Sequence, residues 1–525
     1  MPILRYRTVR IFTAACVLAL ITLPGVVKSA GPDEKTRFDY AMSLYSQGAY
    51  DPAVKEMTEF VKDFPKGRYS DDAYYWLGKH YMAQGKGKDA LDQYRIILAL
   101  IPDGDMAPSA QFELASYWFN PSNPGRDLEK AIAEFMKIPF FYPDCPLADD
   151  AEYYAAICQL EKGNYAEAVS GLSAFMEKYP SSEFAAPAGY RTGIAYLLEG
   201  KTADALSALQ SVRDAHPAGL YAEDALMAAE LALRARDRSP LTLMSTQGEK
   251  GGAPGMFNKP QGVALGPEGR LYVADTANGR VQAFVFRDGK LELASQSLAP
   301  ATLEKEDRMD EPSGVAAGPW GRVYVTDSGH NRVQVFEPDG RLMLSFGRKG
   351  EGDGELRSPS GIAVDAGGFS FVADTGNRRV VMFDPSGRFV RNIGVLQPGS
   401  VGALRSPAGV AVDIRGNILV ADNSADTVYS YSRNGELAAV MATSRDAGIS
   451  LKDPYGIAVD IAGNVYVADA GRRSVVVLDR DLNPLTEFPG GEAKSPLDAP
   501  AGTAVSGSGF VFVADRGNSR IAVLK

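Results

Sequence analysis

Two hydrophobic periodicities divide this chain. Over residues 31–237, apolar residues recur at the three- and four-residue spacing of amphipathic helices, and runs of β-branched residues are few. Over residues 238–525, short apolar runs alternate with turns rich in Gly, Pro and Asp, a pattern typical of β-strands. The sequence therefore predicts a multidomain α + all-β protein, in which a helical region precedes a β region.

Five copies of one helical unit occupy the first region. Each copy has a small residue in its first helix, an alanine in its second helix and a closing proline. Small residues let paired helices approach closely, and proline ends a helix because it cannot donate the next backbone hydrogen bond. The alanines are Ala53, Ala90, Ala131, Ala168 and Ala205, and the prolines are Pro65, Pro102, Pro143, Pro180 and Pro217.

This unit resembles the tetratricopeptide repeat (TPR), a helix pair that recurs about every 34 residues. Motifs such as Asp63-Phe64-Pro65 resemble those of the repeats in bacterial envelope proteins. The resemblance implies an α-solenoid of TPR helix pairs, with a concave groove that docks a peptide or a partner helix. Aromatic residues of the first helices either line this groove or pack in the core. They are Tyr74, Tyr75, Tyr81, Tyr117, Trp118, Tyr153, Tyr154 and Tyr190.

Six copies of a second unit occupy the β region, at intervals of roughly 46–52 residues. Each copy begins with a Pro-x-Gly step into an apolar strand and has a second strand that ends in aspartate. Several copies then have Asn-x-Arg before a third strand. The prolines are Pro260, Pro312, Pro359, Pro407, Pro454 and Pro500, and the aspartates are Asp275, Asp327, Asp374, Asp422, Asp469 and Asp515.

This second unit resembles the NHL repeat, whose fold is a β-propeller, so the resemblance implies a six-bladed NHL β-propeller. The last copy stops at its third strand and needs a fourth from elsewhere. Residues 241–245 resemble the fourth strand of the second copy, at 342–346, and are predicted to complete the last blade. Closing a ring by strand pairing removes the exposed edges of its sheets.

The blade connections alternate between two faces of the predicted propeller. The turn face carries short Pro/Asp/Gly turns, such as those at 384–387 and 413–417, which read as purely structural. The loop face carries the Asp-x-x-Asn-x-Arg turns and the long connections between blades, at 295–311, 347–358, 394–406, 442–453 and 489–499. Long loops on a rigid scaffold often carry binding residues, so the loop face is the predicted binding face.

Candidate binding residues lie on the loop face. The middle residues of the Pro-x-Gly steps are predicted to ring the mouth of the central channel: Gln261, Ser313, Ser360, Ala408, Tyr455 and Ala501. The repeated aspartates and arginines are expected to hold turns, because a structural role recurs in every blade. A functional residue should break the repeat, which adds Asn423, Arg516, His330 and Trp320, the last of these more consistent with a turn.

The N-terminus predicts export. Arg5, Arg7 and Arg10 precede an apolar run at residues 11–23, and small residues follow at 27–30. This is the pattern of a secretory signal peptide, over residues 1–30, and the run is short for a membrane-spanning helix. We therefore expect a periplasmic or envelope-associated protein, with an uncleaved signal anchor as the alternative. A formal net charge of -10 argues against a nucleic-acid partner.

The sequence offers little for catalysis. A propeller zinc site needs about three nitrogen ligands, and His330 is the one histidine of the β region. The channel ring has no carboxylate for a lactonase-type cation, so no catalytic residue, metal site or cofactor is predicted. Cys145 and Cys158 flank a predicted helix and are expected to be free thiols, since the helix holds them too far apart for a disulfide.

These features predict an exported scaffold or adaptor that binds envelope proteins through the TPR groove and the loop face. Peripheral association with a membrane, through an uncleaved signal or a partner, is compatible with this prediction. The alternatives are a propeller enzyme of the metal-dependent lyase or lactonase type, and a small-ligand sensor with a TPR docking domain.

Overall fold

The structure is a computed structural model, and it divides into two compact units. One unit comprises Met1–Phe119 and Glu129–Ala151, and the other Asn120–Leu128 and Glu152–Lys525. The predicted signal peptide, at 1–30, lies outside the described residues, and the predicted boundary at 237/238 stays a prediction. The residues described are 33–120, 123, 125–216, 220–237, 240–266, 269–287, 289–294, 298, 307–395, 397, 399–441, 449–489 and 496–525.

Eleven α-helices follow one another in the described part of the N-terminal region, which confirms the predicted tandem helices. Where a repeat closes with proline, its second helix ends two residues earlier, as α2 does at Asp63 before Pro65. The helices are α1 Glu34–Ser46, α2 Tyr50–Asp63, α3 Ser70–Ala83, α4 Gly87–Leu100, α5 Ala107–Phe119, α6 Leu128–Phe141, α7 Ala148–Lys162, α8 Tyr165–Lys178, α9 Ala185–Glu199, α10 Thr202–Ala215 and α11 Leu220–Asp237.

Small residues lie where the paired helices touch. A Cβ added at Gly78 of α3 would lie 2.3 Å from the ring of Tyr94 in α4. A Cβ at Gly193 of α9 would lie 2.6 Å from the side chain of Leu209 in α10. The alanines of the second helices are fully buried, so a larger side chain would overpack each contact. These are Ala53, Ala90, Ala131, Ala168 and Ala205.

Over the described residues of the β region, twenty-four strands form six four-stranded antiparallel sheets, which confirms the predicted six-bladed propeller. Blade 1 contains β2 Pro260–Leu265, β3 Arg270–Asp275, β4 Arg280–Arg287 and β5 Lys290–Leu293. Blade 2 contains β6 Pro312–Ala317, β7 Val323–Asp327, β8 Arg332–Phe336 and β9 Leu342–Phe346. Blade 3 contains β10 Pro359–Val364, β11 Ser370–Asp374, β12 Arg379–Phe383 and β13 Phe389–Ile393.

Blades 4 to 6 repeat the pattern, and the last blade takes its fourth strand from the start of the β region. Blades 4 and 5 contain β14 Pro407–Val412, β15 Ile418–Asp422, β16 Thr427–Tyr431 and β17 Leu437–Val440; and β18 Pro454–Val459, β19 Val465–Asp469, β20 Ser474–Leu478 and β21 Pro484–Phe488. Blade 6 contains β22 Pro500–Val505, β23 Val511–Asp515, β24 Arg520–Leu524 and β1 Leu243–Gln247.

The closing strand, β1 Leu243–Gln247, is shifted by two residues from the predicted segment 241–245. It pairs antiparallel with β24, and Leu243 lies opposite Leu524. Two further backbone bonds, of 2.8 and 2.9 Å, join Thr242 to Lys525. Blade 6 is thereby formed from both ends of the β region, and β1 covers the edge that β24 would otherwise expose.

A ring of glycines surrounds the centre of the propeller. Each Pro-x-Gly glycine packs against the backbone of the next blade, and a Cβ there would lie 2.2–2.6 Å from the carbonyl oxygen of that blade's middle residue. A Cβ at Gly409, for example, would lie 2.2 Å from the Tyr455 carbonyl oxygen. Glycine is therefore required by the close approach of six strands. The ring consists of Gly262, Gly314, Gly361, Gly409, Gly456 and Gly502.

Within the second unit, the turn face of the propeller contacts the last helices. Arg480, in a blade 5 turn, donates to the carbonyl oxygen of Leu197 near the C-terminus of α9. Lys525, at the end of β24, forms an ion pair with Glu230 of α11 at 3.3 Å. A cation at a helix C-terminus bonds carbonyls that lack a partner within the helix and complements the helix dipole. The turn face thus has a packing role.

Candidate functional site

The repeated aspartates of the loop face are buried and bonded inside their own blades. All six are fully inaccessible to solvent. Each accepts a backbone N–H from the residue two positions before its blade's proline, which ties the end of the second strand to the start of the first. The donors are Asn258 (2.7 Å), Asp310 (2.8 Å), Arg357 (2.6 Å), Arg405 (2.6 Å), Lys452 (2.6 Å) and Asp498 (2.7 Å).

In four blades the aspartate also accepts from the arginine that begins the third strand. The Nε–Oδ2 distance is 2.8 Å in every case, for Arg280, Arg332, Arg379 and Arg520. A buried carboxylate with several donors and one cation is well satisfied. These contacts hold the turn in place, as the repetition of the motif predicts.

Blades 4 and 5 lack this arginine contact. Arg472 of blade 5 instead forms a two-pronged ion pair with Glu487, at 2.9 and 2.6 Å. Asp469 keeps two backbone donors, Lys452 at 2.6 Å and Arg472 at 2.9 Å. Burial raises the pKa of Asp469 from its ordinary value of 3.8 to about 6, against the lowering effect of these donors.

The predicted channel mouth surrounds a small cavity of about 50 Å³, bounded by the first strands of all six blades. Gln261, Ser313, Ala408 and Tyr455 line it. Ser360 donates to the Ala408 carbonyl oxygen at 2.7 Å, while Ala501 is buried in a hydrophobic cluster. The fold thus brings the predicted ring together, although its binding role stays a prediction.

Tyr455 reaches from blade 5 to another blade. Its phenol donates to Oε1 of Gln261, in blade 1, at 2.7 Å. Burial raises the pKa of Tyr455, and hydrogen bonding with Ser360 and the positive charge of Arg516 act in the opposite direction. The aromatic residue that breaks the small-residue ring therefore makes a polar contact between non-adjacent blades.

Asn423 and Arg516 immediately follow the buried aspartates of blades 4 and 6. In blades 1 and 3 this position holds a threonine that donates to the proline carbonyl of the next blade. Asn423 and Arg516 are both half-buried. His330 lies beside the same network, with Nδ1 3.0 Å from Oδ2 of Asp327. Trp320 lies in a turn between strands one and two, on the turn face.

The predicted groove residues of the first unit separate into core and surface. Tyr74 is only 6% exposed and packs in the core, so it offers little surface to a partner, and its groove role stays a prediction. Tyr81 and Tyr117 are half-buried. Lys86 lies 6.0 Å from the ring centre of Tyr81, and Tyr117 stands edge-on to Trp118 at 5.1 Å.

The second unit gives the same division. Tyr190 is 5% exposed and packs in the core, and its groove role also stays a prediction. Burial raises its pKa. Tyr154 is half-buried and packs against Phe184, with ring centres 5.8 Å apart. Of the predicted groove tyrosines, Tyr81, Tyr117 and Tyr154 thus keep exposed surface, while helical spacing alone did not separate them from the buried ones.

A cavity between α4, α5 and α6 in the first unit was not predicted. Its volume is about 340 Å³, and Lys130 stacks over Trp118 beside it at 4.7 Å. Of the residues that line this cavity, the sequence analysis named only Trp118. The others could not be grouped from sequence, because they come from three different helices. The apolar lining is Leu98, Leu114 and Trp118, and the polar rim is Arg95, Glu134 and Lys137.

Neither a metal centre nor a membrane span is found in the residues the structure describes. Within them, no three side chains of His, Cys, Asp or Glu are grouped so that they could hold a metal ion. No helix there combines the length and apolar character needed to cross a bilayer. Cys145 and Cys158 are free thiols, and burial raises the pKa of Cys158.

Family models match both repeat regions. Two models described as tetratricopeptide repeat match residues 38–105 and residues 150–182 and 188–218. A model described as NHL repeat matches residues 257–284, 309–336 and 497–524. The chain thus carries tetratricopeptide repeats in its N-terminal region and NHL repeats in a six-bladed propeller. Both kinds of repeat support a protein-interaction scaffold.

Curated relatives share part of the chain. The human E3 ubiquitin-protein ligase TRIM32 is 29% identical over 133 residues, which cover 23% of this chain and 20% of the relative. Protein brain tumor of Drosophila melanogaster is 37% identical over 51 residues, covering 10% of this chain and 5% of the relative. The chain therefore spans a fifth or less of the length of these relatives.

Two solved structures align with about half of this chain at low identity. Virginiamycin B lyase from Staphylococcus aureus has a TM-score of 0.38 and 14% identity, covering 54% of this chain and 98% of that one. A gluconolactonase from Xanthomonas campestris has a TM-score of 0.39 and 18% identity, covering 54% and 88%. At these identities the comparison assigns no chemistry to this chain.

Proposed function

We propose that this protein is an exported scaffold of the bacterial cell envelope. The TPR groove holds one protein partner, and the loop face of the propeller holds a second. The observation that carries the proposal is that the turn face of the propeller packs against helices, so the two faces of the propeller differ. The turn face contacts α9 and α11 through Arg480 and Lys525, which leaves the opposite face, with its long connections, for a partner.

The export part of the proposal is supported by the N-terminal sequence. A basic segment, a short apolar run and small residues form a signal peptide over residues 1–30. Such a protein reaches the periplasm, where an uncleaved signal or a membrane-bound partner would hold it at a membrane. Cell fractionation and N-terminal sequencing of the mature protein test this, and we expect a new N-terminus after Ser29 or Ala30.

The scaffold itself is tested by cross-linked capture of the full chain from the envelope fraction. We expect two stoichiometric partners. Charge reversal of two exposed loop-face cations, Arg378→Glu and Arg405→Glu, should release one partner, and Tyr81→Ala in the helical region should release the other. The matched control is Arg388→Glu, an exposed cation of the turn face in blade 3, which should retain both.

Two outcomes would contradict the scaffold. One is the absence of any stoichiometric partner, and the other is a pair of partners that every variant retains or releases together. The enzyme alternative has its own test, which is metal analysis of the mature protein before and after dialysis against a chelator. Stoichiometric Ca²⁺ or Zn²⁺ would replace the scaffold proposal with a metal-dependent propeller enzyme.

A further inference from the structure

Arg516 replaces a hydroxyl that bridges blades elsewhere in the propeller. Thr276 of blade 1 donates to the Pro312 carbonyl oxygen at 2.8 Å, and Thr375 of blade 3 donates to that of Pro407 at 2.7 Å. Ser328 of blade 2 makes the same contact with Pro359. Blade 6 has Arg516 at this position and so places a guanidinium where three blades place a short bridging side chain.

The guanidinium of Arg516 has no acidic partner among the residues the structure describes. It is half-buried, and its side chain makes neither an ion pair nor a hydrogen bond within that part of the chain. The arginines of the third strands differ, because each bonds a buried aspartate, as Arg520 does with Asp515 at 2.8 Å. A partly desolvated cation without a counter-charge is costly, and a bound anion would offset that cost.

Two further polar groups lie at the same mouth. The Tyr455 phenol is within electrostatic reach of Arg516, whose charge lowers the pKa of that phenol. The Gln261 amide uses its oxygen to accept from Tyr455, and its nitrogen donates no hydrogen bond within the described residues. Gln261 and Tyr455 therefore line a cavity of about 50 Å³, which holds a few water-sized atoms, and the charge of Arg516 acts on the phenol that lines it.

We infer that Arg516 and Gln261 bind a carboxylate group at the mouth of the channel, and that the Tyr455 phenol positions the Gln261 amide by donating to its oxygen. A guanidinium matches the two oxygens of a carboxylate with two parallel hydrogen bonds, and the Gln261 amide supplies another donor. One cation balances a monoanion, whereas a dianionic phosphate calls for further cations. The cavity admits a head group and leaves the rest of the ligand on the loop face. This site goes beyond the scaffold proposal and does not depend on it.

The carboxylate has two sources, a free small acid or the C-terminus of a peptide. Isothermal titration of the full chain at constant ionic strength distinguishes them with three probes: acetate, N-acetyl-alanine, and the neutral amide of N-acetyl-alanine. We expect both acids to bind and the amide to bind at least tenfold more weakly. N-acetyl-alanine binding tenfold tighter than acetate identifies a peptide terminus, and equal binding identifies free acids. Either result supports the carboxylate site.

The repeat itself supplies the test variant. Arg516→Thr introduces the residue that blades 1 and 3 carry here, so the fold should be retained while acid binding falls at least tenfold. Arg516→Gln is a second variant for the same loss. Lys349→Gln removes an exposed cation of the same face and should bind as the native chain does. The inference is overturned if the native chain binds neither acid, if the amide binds equally well, or if Arg516→Thr binds both acids undiminished.

Discussion

The phenol of Tyr455 donates a hydrogen bond to Gln261 Oε1 across 2.7 Å, which joins blade 5 to blade 1 although blade 6 lies between them. The two residues are 194 positions apart in the chain. Both occupy the middle of a Pro-x-Gly step, where the glycines bring neighbouring blades into backbone contact. This side-chain bond therefore adds a link between non-adjacent blades to a ring held mainly by nearest-neighbour packing.

Removal of this phenol should weaken the propeller modestly. Tyr455→Phe loses one hydrogen bond and leaves the Gln261 oxygen less well satisfied, so we expect a loss of about 1 kcal/mol in the free energy of unfolding. Urea unfolding followed by fluorescence measures it. Tyr429→Phe is the matched control, because the Tyr429 hydroxyl makes no hydrogen bond within the described residues. Equal losses of unfolding free energy in the two variants would show that the Tyr455 hydrogen bond does not stabilise the propeller.

The glycine ring should not tolerate a methyl group. In Gly409→Ala the new Cβ would lie 2.2 Å from the Tyr455 carbonyl oxygen, a backbone atom that cannot move without opening the ring. We expect a loss of at least about 3 kcal/mol, or no soluble protein. Gly252→Ala is the control, since the nearest atom to its Cβ would be 3.9 Å away, and it should change stability by less than about 0.5 kcal/mol. A stable Gly409→Ala protein would show that the neighbouring strands can separate enough to accommodate a methyl group.

The buried aspartates should respond differently to neutralisation. Asp374→Asn deprives Arg379 of its carboxylate, and both side chains are buried, at 0% and 8% exposure. Leaving a buried cation unpaired should cost about 3–5 kcal/mol. Asp469→Asn removes a carboxylate that bonds no arginine side chain, so at pH 7 it should stay within about 1 kcal/mol of the native chain. Chemical unfolding of both variants measures the difference. Equal losses of unfolding free energy would show that pairing with Arg379 does not set Asp374 apart from Asp469.

Asp469 should also make stability depend on pH. Its folded pKa of about 6 lies above the ordinary 3.8, so the folded state binds the proton more tightly than the unfolded state. The resulting stabilisation is fully present below pH 4 and is lost as pH rises through 6, by up to about 2–3 kcal/mol. In Asp469→Asn the slope between pH 4 and 7 should flatten. An unchanged slope of the unfolding free energy against pH would show that groups other than Asp469 cause the pH dependence.

The contact between the propeller and α9 should be measurable by hydrogen exchange. Arg480 donates to the Leu197 carbonyl oxygen and packs beside Gly200, where a Cβ would lie 2.4 Å from its guanidinium. In Arg480→Ala the end of α9 loses this cation, and amide exchange over residues 197–201 should rise about tenfold. Arg388→Ala, at an exposed turn-face position, should leave exchange there unchanged. Unchanged exchange in Arg480→Ala would show that the contact does not stabilise the end of α9.

The helices, the strands and their arrangement into repeats could be predicted from the sequence, because their signals are local. Pro65 follows the end of α2 by two residues, and each Pro-x-Gly step opens a first strand, since proline and glycine act on the backbone where they stand. Fully buried alanines such as Ala90 were predicted for the same reason: a small residue recurs wherever two helices must touch. Repetition also separated the structural aspartates from the residues that interrupt the pattern.

Which side chains meet depends on how distant elements pack together. Helical spacing places Tyr74 and Tyr81 in one helix but does not show that the first is buried and the second half-exposed, because the neighbouring helix determines that. Closure of the ring brings Tyr455 to Gln261, and packing within the second unit brings Arg480 to Leu197, 283 residues away. Such contacts depend on the paths of several elements through space, so no local pattern in the chain encodes them.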